Sequence, residues 1–268
     1  MNSPQNLFSH AFHTLLLKEC EDGVVQVTLN RPQAHNAYNA QMVAELGQVL
    51  EQVEQRADLR VVILTGAGEK TFCAGADLRE AFIDGGKGLL NAQEGFNPLH
   101  RMPRRKVWIA ALNGHAYGGG LELALHCDLI IAASHVQLSL PETRHSLLPV
   151  GGGISQLSRL LPAPIVREMV LAGMPLEASR AERLGLINQV VEGAVLLPAA
   201  QDLAARLNRN APLAVQAANA LIDLAVHGPA ALLPAEVEKE LAQLQQSDDY
   251  QEADRALQEK RPPFWKGQ

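Results

Sequence analysis

Cysteine is scarce in this chain: 268 residues hold three, Cys20, Cys73 and Cys127, an odd and scattered set with no CxxC pair. That excludes a disulfide framework and gives a structural zinc site no basis, so a reducing compartment is expected. Charge of one sign is also lacking, since 23 Lys plus Arg against 29 Asp plus Glu leave a net −6. Such a balance supplies no broad attraction for nucleic acid or an anionic membrane. No apolar run reaches membrane-spanning length, and the opening MNSPQNLFSHAFHTLL has no basic stretch leading into a secretory core. A cytoplasmic protein is the expectation. The signatures of nucleotide cradles are missing too: neither GAGEK nor YGGGLEL makes GxGxxG, and GAGEKTF is not GxxxxGK[ST].

What is present is aliphatic. Apolar residues are 47% of the chain, aromatic ones 4%, and there are 21 glycines, a composition that fits a globular α/β protein with several close turns. A chain of this length buries about three quarters of its accessible surface on folding. TLLLKEC at 14–20 and VVQVTL at 24–29 predict a β-hairpin. NRPQAHNAY at 30–38 reads as a loop before a helix running to about residue 55. RVVILTG at 60–66, VWIAALNG at 107–114, LIIAA at 129–133 and LINQVV at 186–191 read as strands, and a helix is expected over about 119–126. The glycine-rich, weakly periodic interval 80–105 reads as a cover over a site. After SLPETRHSLLPVGGG, helical spacing recurs near 164–173, 177–184, 200–208, 212–226, 234–245 and 249–260.

Two stretches carry chemistry: CAGAD at 73–77 and GHAYGGGLEL at 114–123, each following an apolar strand. Either alone is an ordinary turn. Together and in this order, with LPE at 140–142 and a terminal EKRPPFWKG, they resemble the crotonase (enoyl-CoA hydratase/isomerase) family over roughly residues 14–267. The resemblance implies an oxyanion hole whose backbone donors are the amides of Ala76 and Gly119. Two such donors converging on a thioester oxygen hold the negative charge of an enolate more strongly than the ground state.

The resemblance also implies a carboxylate pair, Glu122 and Glu142, facing the acyl chain near Cα and Cβ. Hydration of an α,β-unsaturated thioester needs water at Cβ and a proton at Cα, and two carboxyl groups can manage both. Glu142 is expected to handle the Cα proton and Glu122 to position and activate water. Isomerases of the family work with fewer acids, so two favour hydration. The loop after Glu142 departs from the usual pattern, with Ser146 and Val150 where glycines are common. Arg144 and His145 either meet a polar acyl end or serve surface pairing.

For the ligand, the resemblance implies that Arg31 favours the phosphates of coenzyme A and that Ala34 and His35 line its pantetheine path. Ala74 and Asp77 fall in its adenine and pantetheine region, and Lys260 approaches it from the tail of the same or a neighbouring subunit. Arg31 in a surface ion pair, His35 or Asp77 as turn residues, and Lys260 on a charged helix face are the ordinary alternatives. The implied architecture is an α/β crotonase-like spiral core of repeated ββα units over 1–198, with a helical oligomerisation region over 199–268. Homotrimers or dimers of trimers follow from the same resemblance. No metal or separate cofactor is expected, coenzyme A being the carrier part of the substrate. The expected reaction is reversible hydration of a trans-2-enoyl-CoA to a 3-hydroxyacyl-CoA. The alternatives are an enoyl-CoA isomerase, a specialised acyl-CoA dehydratase, or a non-catalytic acyl-CoA-binding assembly protein.

Overall fold

The apolar runs near the start pair with each other because their alternating faces bury together. In the computed structural model, which describes residues 12–89 and 104–268, β1 (Leu15–Glu19) and β2 (Val24–Leu29) form an antiparallel hairpin. The side chain of Asn39 accepts the Met42 N–H at 3.0 Å and starts α1 (Ala40–Gln55). Met42, Leu46, Val49, Leu50 and Val53 bury its apolar stripe.

A unit of long strand, short strand and helix then repeats. The first is β3 (Val61–Gly66), β4 (Thr71–Cys73) and α2 (Leu78–Ala81). The second is β5 (Val107–Leu112), β6 (His115–Tyr117) and α3 (Gly119–Leu125). The third is β7 (Leu129–Ala133) and β8 (Gln137–Ser139), followed by a 3-10 turn at Glu142–His145 and α4 (Gly153–Leu160). Then come α5 (Ala163–Leu171), β9 (Leu176–Glu177), α6 (Ala178–Arg183) and β10 (Gln189–Val191). The chain ends in α7 (Leu196–Asn208), α8 (Pro212–His227), α9 (Leu233–Gln245) and α10 (Asp248–Glu259).

The long strands make one sheet in the order β1-β2-β3-β5-β7-β10, parallel from β2 onward. The short ones make a second sheet, β4-β6-β8-β9. Each ββα unit therefore climbs from the large sheet to the small one before its helix turns back, which is the spiral the repeats implied. Every residue of β3 and β5 is buried, as parallel strands covered on both faces must be. One face meets α1, α3 and the small sheet; on the other, Leu196, Ala200 and Ala204 of α7 pack on Val61, Ile63, Ile109 and Ile131.

Several expectations change in detail. The short strands β4, β6, β8 and β9 were not anticipated. The strand expected at 186–191 is confined to Gln189–Val191, because Leu186 and Ile187 are buried in the turn after α6. The boundary drawn at 198/199 falls inside α7, whose apolar face belongs to the large sheet. Of the cover expected at 80–105, residues 90–103 lie outside the described residues; before them run α2 and a 3-10 segment at Asp84–Leu89.

Candidate active site

Tight backbone approach brings the two informative stretches together. Gly75 takes φ +98° and Gly118 φ +55°, conformations that a side chain would strain. A Cβ on Gly75 would lie 3.0 Å from the Gly119 nitrogen, so the CAGAD turn sits against the start of α3. Gly119 is the first residue of that helix, where an N–H has no partner four residues back. Ala76 bridges Tyr38 in parallel: the Tyr38 N–H donates to the Gly75 carbonyl at 2.9 Å, and the Asp77 N–H donates to the Tyr38 carbonyl at 2.9 Å. These bonds come from the residues flanking Ala76, so its own N–H faces away from Tyr38.

Glu122 projects from the first turn of α3, 2% exposed, and its Oε1 accepts the Gly153 N–H at 2.8 Å. Burial raises the pKa of this carboxyl, while the amides of Gly153 and Gly151 pull it back down. Glu142 opens the 3-10 turn after β8, and its Oε1 is 3.2 Å from where a Cβ on Gly118 would stand. Its Oε2 is buried without a hydrogen-bond partner among the described residues. Burial pushes the Glu142 carboxyl up to about 7, with the charge of Glu122 adding to the effect. Two carboxyl groups twenty positions apart in sequence thus converge on the start of α3, and one of them titrates near neutrality. Such a pair can give and take protons at neutral pH.

The other sequence-picked residues divide. Arg31 pairs with Asp77 at 3.1 Å and donates to the Ala37 carbonyl at 2.5 Å, tying the loop to the CAGAD turn. His35 adopts φ 52° and its carbonyl accepts the Ala74 N–H at 3.1 Å; Ala34 ends the preceding 3-10 turn. Arg31, Ala34, His35, Ala74 and Asp77 therefore form one clasped ridge beside Ala76. Lys260 does not join it: it caps α10, and within one chain no side-chain bond links it to the ridge among the described residues. The Arg144 guanidinium is committed to the carbonyls that end α5, 2.8 Å from Gly173 O. His145 is exposed. Ser146 takes φ 57°, a left-handed conformation that explains why glycine suits the position.

Tyr38 escaped the sequence reading. A Cβ on Gly119 would run into its hydroxyl, and burial together with the charges of Glu122, Cys73 and Glu142 holds that hydroxyl protonated, well above its usual range. Its only signal was its place in the NRPQAHNAY loop. Gly151, Gly153 and His126 were missed for a similar reason, since their roles exist only once α3 meets the glycine run. Among the described residues, no group of three or more His, Cys, Asp or Glu side chains is arranged to hold a metal ion, and no helix is long and apolar enough to cross a membrane.

Comparison with known proteins agrees with this fold. Residues 19–268 match the enoyl-CoA hydratase/isomerase family profile. A Bacillus subtilis (strain 168) relative, whose name, enoyl-CoA hydratase/isomerase YngF, leaves the reaction open, is 39% identical over 90% of this chain and 94% of its own. Carnitinyl-CoA dehydratase of Proteus mirabilis (strain HI4320) is 38% identical over 91% of this chain and 95% of its own. The crystal structure of enoyl-CoA hydratase from Mycobacterium tuberculosis H37Rv superposes with a TM-score of 0.88 at 38% identity, covering 95% of this chain and 99% of that one. The ββα spiral and the whole-length match together establish that this chain belongs to the enoyl-CoA hydratase/isomerase family and has the crotonase fold.

Proposed function

We propose that the enzyme adds water reversibly across the Cα=Cβ bond of a trans-2-enoyl-CoA, giving a 3-hydroxyacyl-CoA. In this reading the thioester oxygen lies between the amides of Ala76 and Gly119. The Glu122 carboxylate takes a proton from water as the water oxygen bonds to Cβ, and the displaced π electrons move onto the thioester oxygen as an enolate. As the enolate collapses, Glu142 delivers its proton to Cα. One water is consumed, and a proton returns from Glu122 to Glu142 between turnovers. The amide donors act only on developing charge, which is why they speed the step and do not simply tighten binding. The ridge of Arg31, Ala34, His35, Ala74 and Asp77 would hold coenzyme A, and Lys260 would approach it from the tail of the same or a neighbouring subunit.

The observation that carries the reading is Glu142: a buried carboxyl oxygen beside Gly118 with no hydrogen-bond partner among the described residues, on a group that holds its proton up to about 7. An unsatisfied buried acid costs stability, so its retention calls for a partner that arrives with the substrate. The relatives named carnitinyl-CoA dehydratase, at 38% identity, favour a second reading in which the physiological direction is dehydration of a specialised 3-hydroxyacyl-CoA.

A panel of enoyl-CoAs in ¹⁸O-labelled water, read by mass spectrometry, separates the possibilities. Hydration adds one labelled water to the product, whereas isomerisation leaves the mass unchanged. Glu122→Gln and Glu142→Gln are each expected to lower kcat about 10²- to 10⁴-fold with CoA binding retained. Mass-neutral conversion across the panel, or full activity in both variants, would overturn the assignment.

A further inference from the structure

Glu122 on α3 and His126, which caps the end of that helix, stand one turn apart, a spacing that puts both on one face. Both reach the glycine run at 151–153. The Glu122 carboxylate accepts the Gly153 N–H at 2.8 Å, and its Oε2 lies 2.6 Å from where a Cβ on Gly151 would be. His126 Nε2 is 2.8 Å from the Gly151 carbonyl oxygen, in a buried contact. A carbonyl can only accept, so Nε2 carries the proton. The opposite ring nitrogen, Nδ1, is 3.5 Å from the Gln156 side-chain amide of α4. Along the run, the Gly151 and Gly153 amides face Glu122 while the Gly151 carbonyl faces His126, so two neighbouring side chains take up its polar groups.

We propose that His126 is a positioning residue for Glu122, holding the Gly151 carbonyl so that the flanking amides of Gly151 and Gly153 stay aimed at the carboxylate that activates water. The inference rests on the role given to Glu122 above. A glycine run is the least rigid backbone available, and Gly152 within it sits at φ 96°, so its peptide planes need an external hold. His126 is itself braced: its carbonyl accepts from Arg104 at 2.5 Å, and Arg104 pairs with Asp128 at 2.6 Å. Asp128 in turn accepts from Asn219 of α8 at 3.0 Å, so the brace reaches the C-terminal helices. The other titratable groups facing Glu122 are Glu142 from the 3-10 turn and Tyr38 from the loop before α1.

The test compares His126→Leu, which keeps bulk but loses the donor, with His126→Gln, whose amide reaches about as far as Nε2. With crotonyl-CoA, His126→Leu is expected to lower kcat about ten- to a hundred-fold while KM stays within about two-fold, the cost of a misplaced catalytic group. The acidic limb of the pH–rate profile should move up by about half a pH unit or more, because fewer amides then stabilise the ionised carboxylate. His126→Gln should restore most of both. A ¹³C NMR titration of glutamate-δ-labelled protein reads the same upward shift at Glu122 without turnover. It separates failure of this inference from failure of the catalytic reading: an active Glu122→Gln enzyme removes the latter, an unmoved Glu122 titration the former. If His126→Leu does not fold, His126→Asn, too short to reach the carbonyl, takes its place. Wild-type kcat with an unmoved limb in whichever variant folds overturns the proposal.

Discussion

Glu142 ties catalysis to stability in a single side chain. Unfolded, it ionises near its ordinary 4.5; folded, burial and Glu122 hold its proton until about 7. Between those values the native state binds more protons than the unfolded one, so stability falls as pH rises. The full penalty is present above about 7 and absent below about 4. Screening at this half-buried site reduces the cost to about 1–2 kcal/mol. Glu142→Gln cannot ionise and should escape it. The variant's melting temperature is therefore expected to exceed that of the parent by a few degrees at pH 8 and to match it at pH 4.5. Equal differences at the two pH values would show that Glu142 ionises normally in the folded protein. The same residue predicts one limb for both directions: hydration needs Glu142 protonated with Glu122 ionised, dehydration needs the tautomer with the same number of protons, and kcat/KM should therefore decline above about pH 7 in either direction.

At the scale of elements, the spacing between α3 and β4 decides whether the two amides can meet one oxygen. Gly120 sets that spacing, because a Cβ there would strike the Cys73 carbonyl and lie 2.8 Å from the Cys73 Cβ. Gly120→Ala must push the helix from the strand that leads into Ala76. A displacement approaching 1 Å predicts a loss of about a hundred-fold in kcat with a native circular dichroism spectrum. A well-folded Gly120→Ala enzyme with parental kcat would mean that this contact does not govern the geometry.

The GGG run was legible as a tight turn, but the contact with Cys73 that requires it was not, since it depends on how two ββα units stack. The same limit explains β4, β6, β8 and β9. Strands of two or three residues such as Leu176–Glu177 and His115–Tyr117 carry no alternation to read, while the six-residue β3 and β5 announced themselves as continuous apolar runs. Glu122 and Glu142 were found through the family pattern; their convergence, and the part played by Tyr38 and His126, lies in tertiary contacts between segments distant in sequence.

The whole molecule leaves its C-terminal helices half-finished. Asn219 of α8 is anchored to Asp128 at 3.0 Å, and Glu240 of α9 pairs with Arg105 at 2.7 Å, so polar tethers fix both helices to the core. Their apolar residues are another matter: Ile222 is 60% exposed and Leu241 50% exposed, and Val226 and Val237 are exposed one turn from each. Pairs four apart share a helix face, so these are continuous apolar stripes and not scattered leucines. Only Pro212 and Ala217 of α8 are buried within the single chain. We propose that copies of the chain cover these stripes, as a homotrimer or a dimer of trimers, which would also bring a neighbour's Lys260 toward the coenzyme A ridge. Analytical ultracentrifugation is expected to give three or six times the mass of one chain. An Ile222→Glu, Leu241→Glu double variant, which would bury uncompensated carboxylates at such an interface, should sediment as a single chain with its core intact. If the parent protein is already monomeric at micromolar concentration, the stripes are not an assembly surface, and any contact of Lys260 with coenzyme A must come from its own chain.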